Sequence, residues 1–170
     1  MVIIVFGLPG SGKSYFARTL ANTLKASYIN SDTIRDKFPP PLKYTREEKN
    51  IVYDMILNRM LTAVYSGKTV VIDATFYKDD LRHRFTSYVR EPGMLHFIEI
   101  VADELLIKNR LSRRQDSHAE YNVYKLIQAD WDPAMFPHLT IQSTDDNIHE
   151  MISKALEYMQ PYTLNKTAAE

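Results

Sequence analysis

Residues 7–14 run Gly-Leu-Pro-Gly-Ser-Gly-Lys-Ser, a spacing in which backbone and side chains together can hold a phosphate. The glycines let successive N–H groups curl around an anion, and the following helix turns its positive N-terminus toward the same charge. In such a loop Gly7, Pro9, Gly10, Ser11 and Gly12 shape the cradle, with Tyr15 next to it on the helix. Lys13 reaches the β- and γ-phosphates, and the Ser14 hydroxyl ligates Mg²⁺. The apolar run Val2-Ile3-Ile4-Val5-Phe6 just ahead reads as a buried strand delivering the loop. The chain is therefore expected to bind ATP or another NTP together with Mg²⁺ or Mn²⁺.

Two aspartates stand where such chemistry needs carboxylates. Asp32, in Ser31-Asp32-Thr33-Ile34-Arg35, follows a short strand and can accept a proton from an attacking hydroxyl. Arg35 lies one helical turn further on and can clamp an acceptor's anion. The bland reading is that Asp32 only caps a short helix. Asp73 ends Val70-Val71-Ile72-Asp73 in the manner of a Walker B strand and would hold the metal directly or through water. Alternatively it caps Thr75 or Phe76. Ala74 stands where motor ATPases carry an acidic residue, which argues against rapid ATP hydrolysis. Thr75 is a candidate for contact with the acceptor.

Lys108, Arg110, Arg113 and Arg114 form the densest basic cluster, and Arg110 and Arg114 share a helix face. Guanidinium groups from a lid neutralise charge developing on a transferred phosphoryl group. Arg110 and Arg114 are thus catalytic candidates, and Arg110 and Arg113 candidates for nucleotide contact. A solvated basic helix end is the competing reading. Arg46 and Arg82-His83-Arg84 could line a groove or be surface charge. Trp131 and the Tyr121/Tyr124 pair could stack on a base, though their spacing suits packing. The five histidines show no metal-ligand spacing.

Strand and helix alternate along the chain. A helix with Phe16, Ala17, Leu20, Ala21 and Leu24 on one face follows the loop, then a strand at 27–30 and a brief helix to Phe38. Thr45-Arg46-Glu47-Glu48 is a capping box opening a long helix. Its stripe is Val52, Met55, Ile56, Met60, Ala63 and Val64, and Gly67 stops it. Further strands are expected at 69–72, 95–101 and 138–142. Helices are expected at 79–90, after Asp103, and over Ile148–Met159. Such alternation demands right-handed crossovers, hence an α/β fold. The expectation is a P-loop kinase-like three-layer sandwich: a five-stranded parallel sheet, helices on both faces and a small lid. One domain should span 1–160, with the lid at about 113–124 and a polar tail over 161–170. Ligands in such sheets bind beyond the carboxyl ends of the strands, which gathers the loop, Asp32 and Asp73 at one edge.

The 170 residues suit one domain, and 45% hydrophobic with 25% charged residues is ordinary for a soluble protein. Cysteine is absent, so there is neither a disulfide framework nor a thiolate metal site, and a cytoplasmic location fits. No run is apolar enough to span a bilayer, and the opening run reads as a strand rather than a leader. Lys+Arg and Asp+Glu both total 21, so any polyanion would need a local basic cleft.

Phosphate loop, Ser31-Asp32-Thr33-Ile34-Arg35, Asp73-Ala74-Thr75-Phe76 and the arginine lid together resemble the polynucleotide 5′-hydroxyl kinase family of P-loop phosphotransferases, over roughly Met1 to Met159. The second motif has one fewer intervening residue than the family pattern. The resemblance implies that Asp32 activates a 5′-OH and Arg35 binds the phosphate beside the reacting nucleoside. It also implies that Arg110 and Arg114 contact the ATP phosphates. A single-stranded or end-exposed nucleic acid is then the expected acceptor. Related kinases acting on sugars, antibiotics, nucleosides or nucleotide-sugars, including zeta-toxin-like proteins, share these motifs, so a small-molecule kinase is the rival. A non-catalytic nucleotide-binding module is the third reading. A GTPase switch is disfavoured, because Asn165-Lys166-Thr167-Ala168 lacks the aspartate that reads guanine.

Overall fold

The computed structural model describes residues 1–39, 45–89, 91, 93–113 and 121–163. The strands are β1 (Val2–Phe6), β2 (Ser27–Asn30), β3 (Val70–Asp73), β4 (Leu95–Val101) and β5 (Leu139–Gln142). They form a five-stranded sheet in the order β2-β3-β1-β4-β5, and every pairing is parallel. The helices are α1 (Lys13–Thr23), α2 (Ser31–Arg35), α3 (Arg46–Tyr65), α4 (Asp79–Thr86), α5 (Glu104–Ser112), α6 (Tyr121–Ala129) and α7 (Ile148–Thr163). This is the expected P-loop kinase-like three-layer α/β sandwich.

β1 is central, and its five residues are fully buried because helices cover both faces. Val2, Ile4 and Phe6 point to one face, where Val52, Ile56 and Met60 of α3 and Phe85 of α4 pack. Ile3 and Val5 point to the other, against Phe16 and Leu20 of α1 and Met151, Ala155 and Met159 of α7. Register places Val5 opposite Asp73, and β3 pairs Asp73 with Asn30 of β2. Three successive strand ends therefore deliver the phosphate loop, the buried aspartate and α2 side by side.

Thr45 caps α3 as expected, its side chain accepting from the Glu48 N–H. Asp32 is not a cap. Asn30 occupies the cap of α2, its side-chain oxygen accepting from the Thr33 N–H at 2.9 Å, so the Asp32 carboxylate is left to other work. α4 ends at Thr86 rather than at residue 90, and β5 opens at Leu139, the first residue paired with β4, while the His138 ring contacts Phe136 O and Glu99. Of the lid expected at about 113–124, Arg113 caps the end of α5 and Tyr121 to Tyr124 open α6, with Tyr124 packed on Ile107 and Leu111. Residues 114–120 lie outside the described residues. α7 continues past Pro161 to Thr163 rather than ending at residue 160.

Candidate active site

β1 ends at Phe6, and the chain turns through three glycines with positive φ: Gly7 at 145°, Gly10 at 81° and Gly12 at 95°. Each is also short of space. A Cβ at Gly7 would lie 2.3 Å from the Ile100 carbonyl oxygen, one at Gly10 2.9 Å from Ile107 Cγ2, and one at Gly12 2.8 Å from Ser143 Oγ. Gly12 is also the N-cap of α1, so the helix dipole opens on the loop at Lys13. Lys13 and Ser14 are half-buried in the first turn of α1. Pro9, Gly10 and Ser11 are buried in the loop, and the Ser11 hydroxyl oxygen has no hydrogen-bond partner among the described residues.

Asp73 is 1% exposed. Its Oδ2 accepts from Tyr28 Oη at 2.7 Å and from Asn30 Nδ2 at 2.6 Å, while Oδ1 is buried without a partner. One oxygen is thus oriented by two donors, and the other is buried without a partner. Burial, with Asp73 beside it, pushes the Tyr28 hydroxyl well above its ordinary range and keeps it a donor. An orphaned buried carboxylate oxygen fits a hard divalent cation, an oxygen-seeking ion commonly held by one carboxylate, a hydroxyl and water. Asp73 and Ser14 are the residues that would hold it. Tyr28 and Asn30 carry no motif, and only the β2–β3 register brings them to Asp73.

Asp32 is the opposite case. Its side chain is 62% exposed, and Oδ1 pairs with Arg35 Nη1 at 3.0 Å. Behind the pair, Tyr53 of α3 accepts a hydrogen bond from the Phe76 N–H at 3.0 Å, holding Phe76 at φ 46°. Burial pushes the Tyr53 hydroxyl up, and Arg35, Tyr77 and Asp32 all act on it electrostatically. α2, α3 and the segment after β3 therefore converge there. Thr75 is half-buried in that segment, its carbonyl accepting from the Gly7 N–H.

Arg110 is fixed rather than free. Nη1 donates to Ser11 O and Ser143 Oγ at 3.1 Å each, Nη2 to Thr144 O at 2.6 Å, and the fork also meets Asp145. It braces the phosphate loop against the segment after β5. A cleft of about 320 Å³ opens beside it, lined by Tyr15, Arg110, Arg113, Ser143, Thr144 and Ile148 among others. Tyr15 is 67% exposed at its mouth. The contribution of Ser143 and Thr144 had no sequence signal, because a strand-end Ser-Thr is unremarkable until its neighbours are known. Arg114 lies outside the described residues.

The remaining candidates sort into packing. Trp131 stacks on Phe6 (6.3 Å between centroids, 8° between planes), and Tyr121 stacks on Tyr124. Arg84 pairs with Asp54. Arg82, expected in a groove or on the surface, is fully buried between Phe6, Trp131 and Phe136, with Nη2 donating to Asp132 O. Among the described residues no group of three or more His, Asp and Glu side chains could hold a metal as a cluster.

A sequence profile of the AAA domain family matches residues 2–133. The chain belongs to that family. Among solved structures this AAA domain protein superposes on a sugar kinase from Janibacter sp. HTCC2649 with a TM-score of 0.74, at 18% identity over 94% of each chain. A gluconokinase from Sinorhizobium meliloti 1021 gives 0.73 at 19% identity, covering 99% of this chain and 97% of that one. The Mycobacterium tuberculosis APS kinase, solved with AMPPNP and APS, gives 0.71 at 15% identity over 94% and 96%. At these identities the likeness establishes the fold, that of P-loop kinases. Of the expected resemblance, the P-loop kinase-like domain is met and the polynucleotide kinase kinship is not, since these neighbours are named as sugar, gluconate and APS kinases. Among the described residues no helix is long and apolar enough to cross a membrane.

Proposed function

We propose that this AAA domain protein is an ATP-dependent phosphotransferase whose acceptor is the hydroxyl of a small molecule. The observation that carries the reading is the division of labour between two strand-end carboxylates. Asp73 is buried with one oxygen unclaimed, as a metal site requires, and Asp32 is exposed beside Arg35, as an acceptor site requires.

In this reading the loop amides and Lys13 hold the β- and γ-phosphates, and Ser14 and Asp73 hold Mg²⁺ or Mn²⁺. Bound there, the ion would screen phosphate charge. The nucleoside takes the cleft between Tyr15 and the Ser143–Thr144 segment, with Arg113 at its edge. Asp32 accepts the acceptor's proton as the acceptor hydroxyl oxygen bonds the γ-phosphorus and the bond from that phosphorus to the β–γ bridging oxygen breaks, releasing ADP, and Arg35 and Thr75 orient that acceptor. Arg110 has its guanidinium committed to Ser11 O, Ser143 and Asp145, so its catalytic share is to fix the loop.

A balanced charge and the small-molecule kinases of the same fold favour a compact acceptor over a nucleic acid end. Incubation with γ-labelled ATP and Mg²⁺ beside a panel of sugars, sugar acids, nucleosides and a 5′-OH oligonucleotide tests this. Label on a small molecule is the expected result. Label on the oligonucleotide alone would restore the polynucleotide reading, and none on any acceptor, with ATP bound, would leave a nucleotide-binding module.

A further inference from the structure

α3 presents Lys49 one turn before Tyr53, on the face that meets the segment after β3. The Lys49 ammonium donates to Tyr77 Oη at 3.3 Å and lies 5.0 Å from the centre of that ring. Two other cations stand near this wall, and both have carboxylates: Arg35 pairs with Asp32, and Lys78 with Asp130 at 2.7 Å and Asp132 at 3.3 Å. Among the described residues Lys49 meets no carboxylate. Tyr77 in turn is fixed by its neighbours, since Phe76 N–H is held by Tyr53 and Tyr77 O accepts from the Asp132 N–H at 2.9 Å.

A half-buried ammonium with only a phenol for company is poorly compensated, and an incoming oxyanion would give it the charge-assisted partner it lacks. Its aromatic rest position leaves the donors on one side available at small reorganisation cost, as a cation on a ring face is only weakly held. We propose that Lys49, presented on Tyr77, selects acceptors that carry an oxyanion, a carboxylate or a phosphate monoester, in addition to the hydroxyl that is phosphorylated. This rests on the kinase reading above and names the class of its acceptor. Asp32 works at the hydroxyl, and Lys49 grips the far, anionic end.

The test uses matched acceptors on the intact protein: an aldonate against the alditol of the same chain length, and a sugar monophosphate against the free sugar. Wild type should use one anionic member at least tenfold better, and the arm that responds separates carboxylate from phosphate. Lys49→Met keeps the aliphatic stem; it should raise KM for the anion about ten- to a hundredfold with kcat changed less than about threefold. Neutral acceptors should be unaffected, and Lys49→Arg should recover most of the loss. Equal use of charged and neutral partners by wild type would overturn the inference while leaving the kinase reading intact. So would a Lys49→Met variant that loses kcat on both alike. Transfer to neither member would sink both. Calorimetric titration of the same acceptors onto protein saturated with a non-hydrolysable ATP analogue gives a second readout without turnover, and no preference for the anion there would also overturn the inference.

Discussion

In the proposed site Asp73 would work through atoms that the sequence motif does not contain. Tyr28 and Asn30 spend their donors on Oδ2 and leave Oδ1, buried without a partner, as the oxygen that would meet the metal. Groups that orient a metal-binding carboxylate commonly matter ten- to a hundredfold in metal affinity. Tyr28→Phe, which removes one donor and keeps the ring, should raise the Mg²⁺ concentration for half-maximal transfer about tenfold. A metal titration of activity, with ATP saturating, checks it. Gly12→Ala meets two obstacles together, a φ of 95° and a Cβ 2.8 Å from Ser143 Oγ. It should cost about 1–3 kcal/mol of stability and weaken nucleotide binding, as read by chemical denaturation and by calorimetry.

Among the secondary-structure elements, those with a strong apolar period were plain from the residues: β1, α1, α3 and the last helix all lie close to where the pattern puts them. Element boundaries were less plain wherever a side chain from elsewhere decided them. Asn30, not Asp32, caps α2 because β2 carries its carbonyl side toward Thr33, and nothing local distinguishes Ser31, Asp32 and Asn30 as caps. The burial of Arg82 was also illegible, since Arg82-His83-Arg84 has the look of surface charge. It is α4's place over Phe6 that puts the guanidinium among three rings, joining α4 to Asp132 beyond α6. Arg82→Ala would leave a cavity and free the Asp132 carbonyl, at about 2–4 kcal/mol. Trp131 is the sole tryptophan, so its fluorescence in a urea titration reports both the loss and any loosening of that segment. Likewise the candidate site was half legible: Lys13, Ser14, Asp32 and Asp73 stood out by spacing, whereas Tyr53, Tyr28 and Ser143 enter only through the sheet order.

The assembled sheet also carries a pH dependence of its own. His96 of β4 is buried against Tyr158, and burial holds its imidazole below the ordinary histidine range against an opposing backbone hydrogen bond to Gly93. The unfolded chain therefore binds a proton at this position that the folded chain refuses. Stability from this group is complete above about pH 6.5 and declines as pH falls below that value. The urea midpoint should drop between pH 7.5 and 5.5, and the drop should be smaller in His96→Gln.

The arrangement of the two carboxylates and the phosphate loop across three adjacent strand ends is what the functional account stands on, and Asp32 is where it is most exposed to test. Phosphoryl transfer to the best acceptor should be measured for wild type and Asp32→Asn, with ATP affinity determined on the same samples. The account predicts a fall of about 10²–10⁴ in kcat with ATP binding changed by no more than about threefold. Transfer undiminished by Asp32→Asn would contradict it.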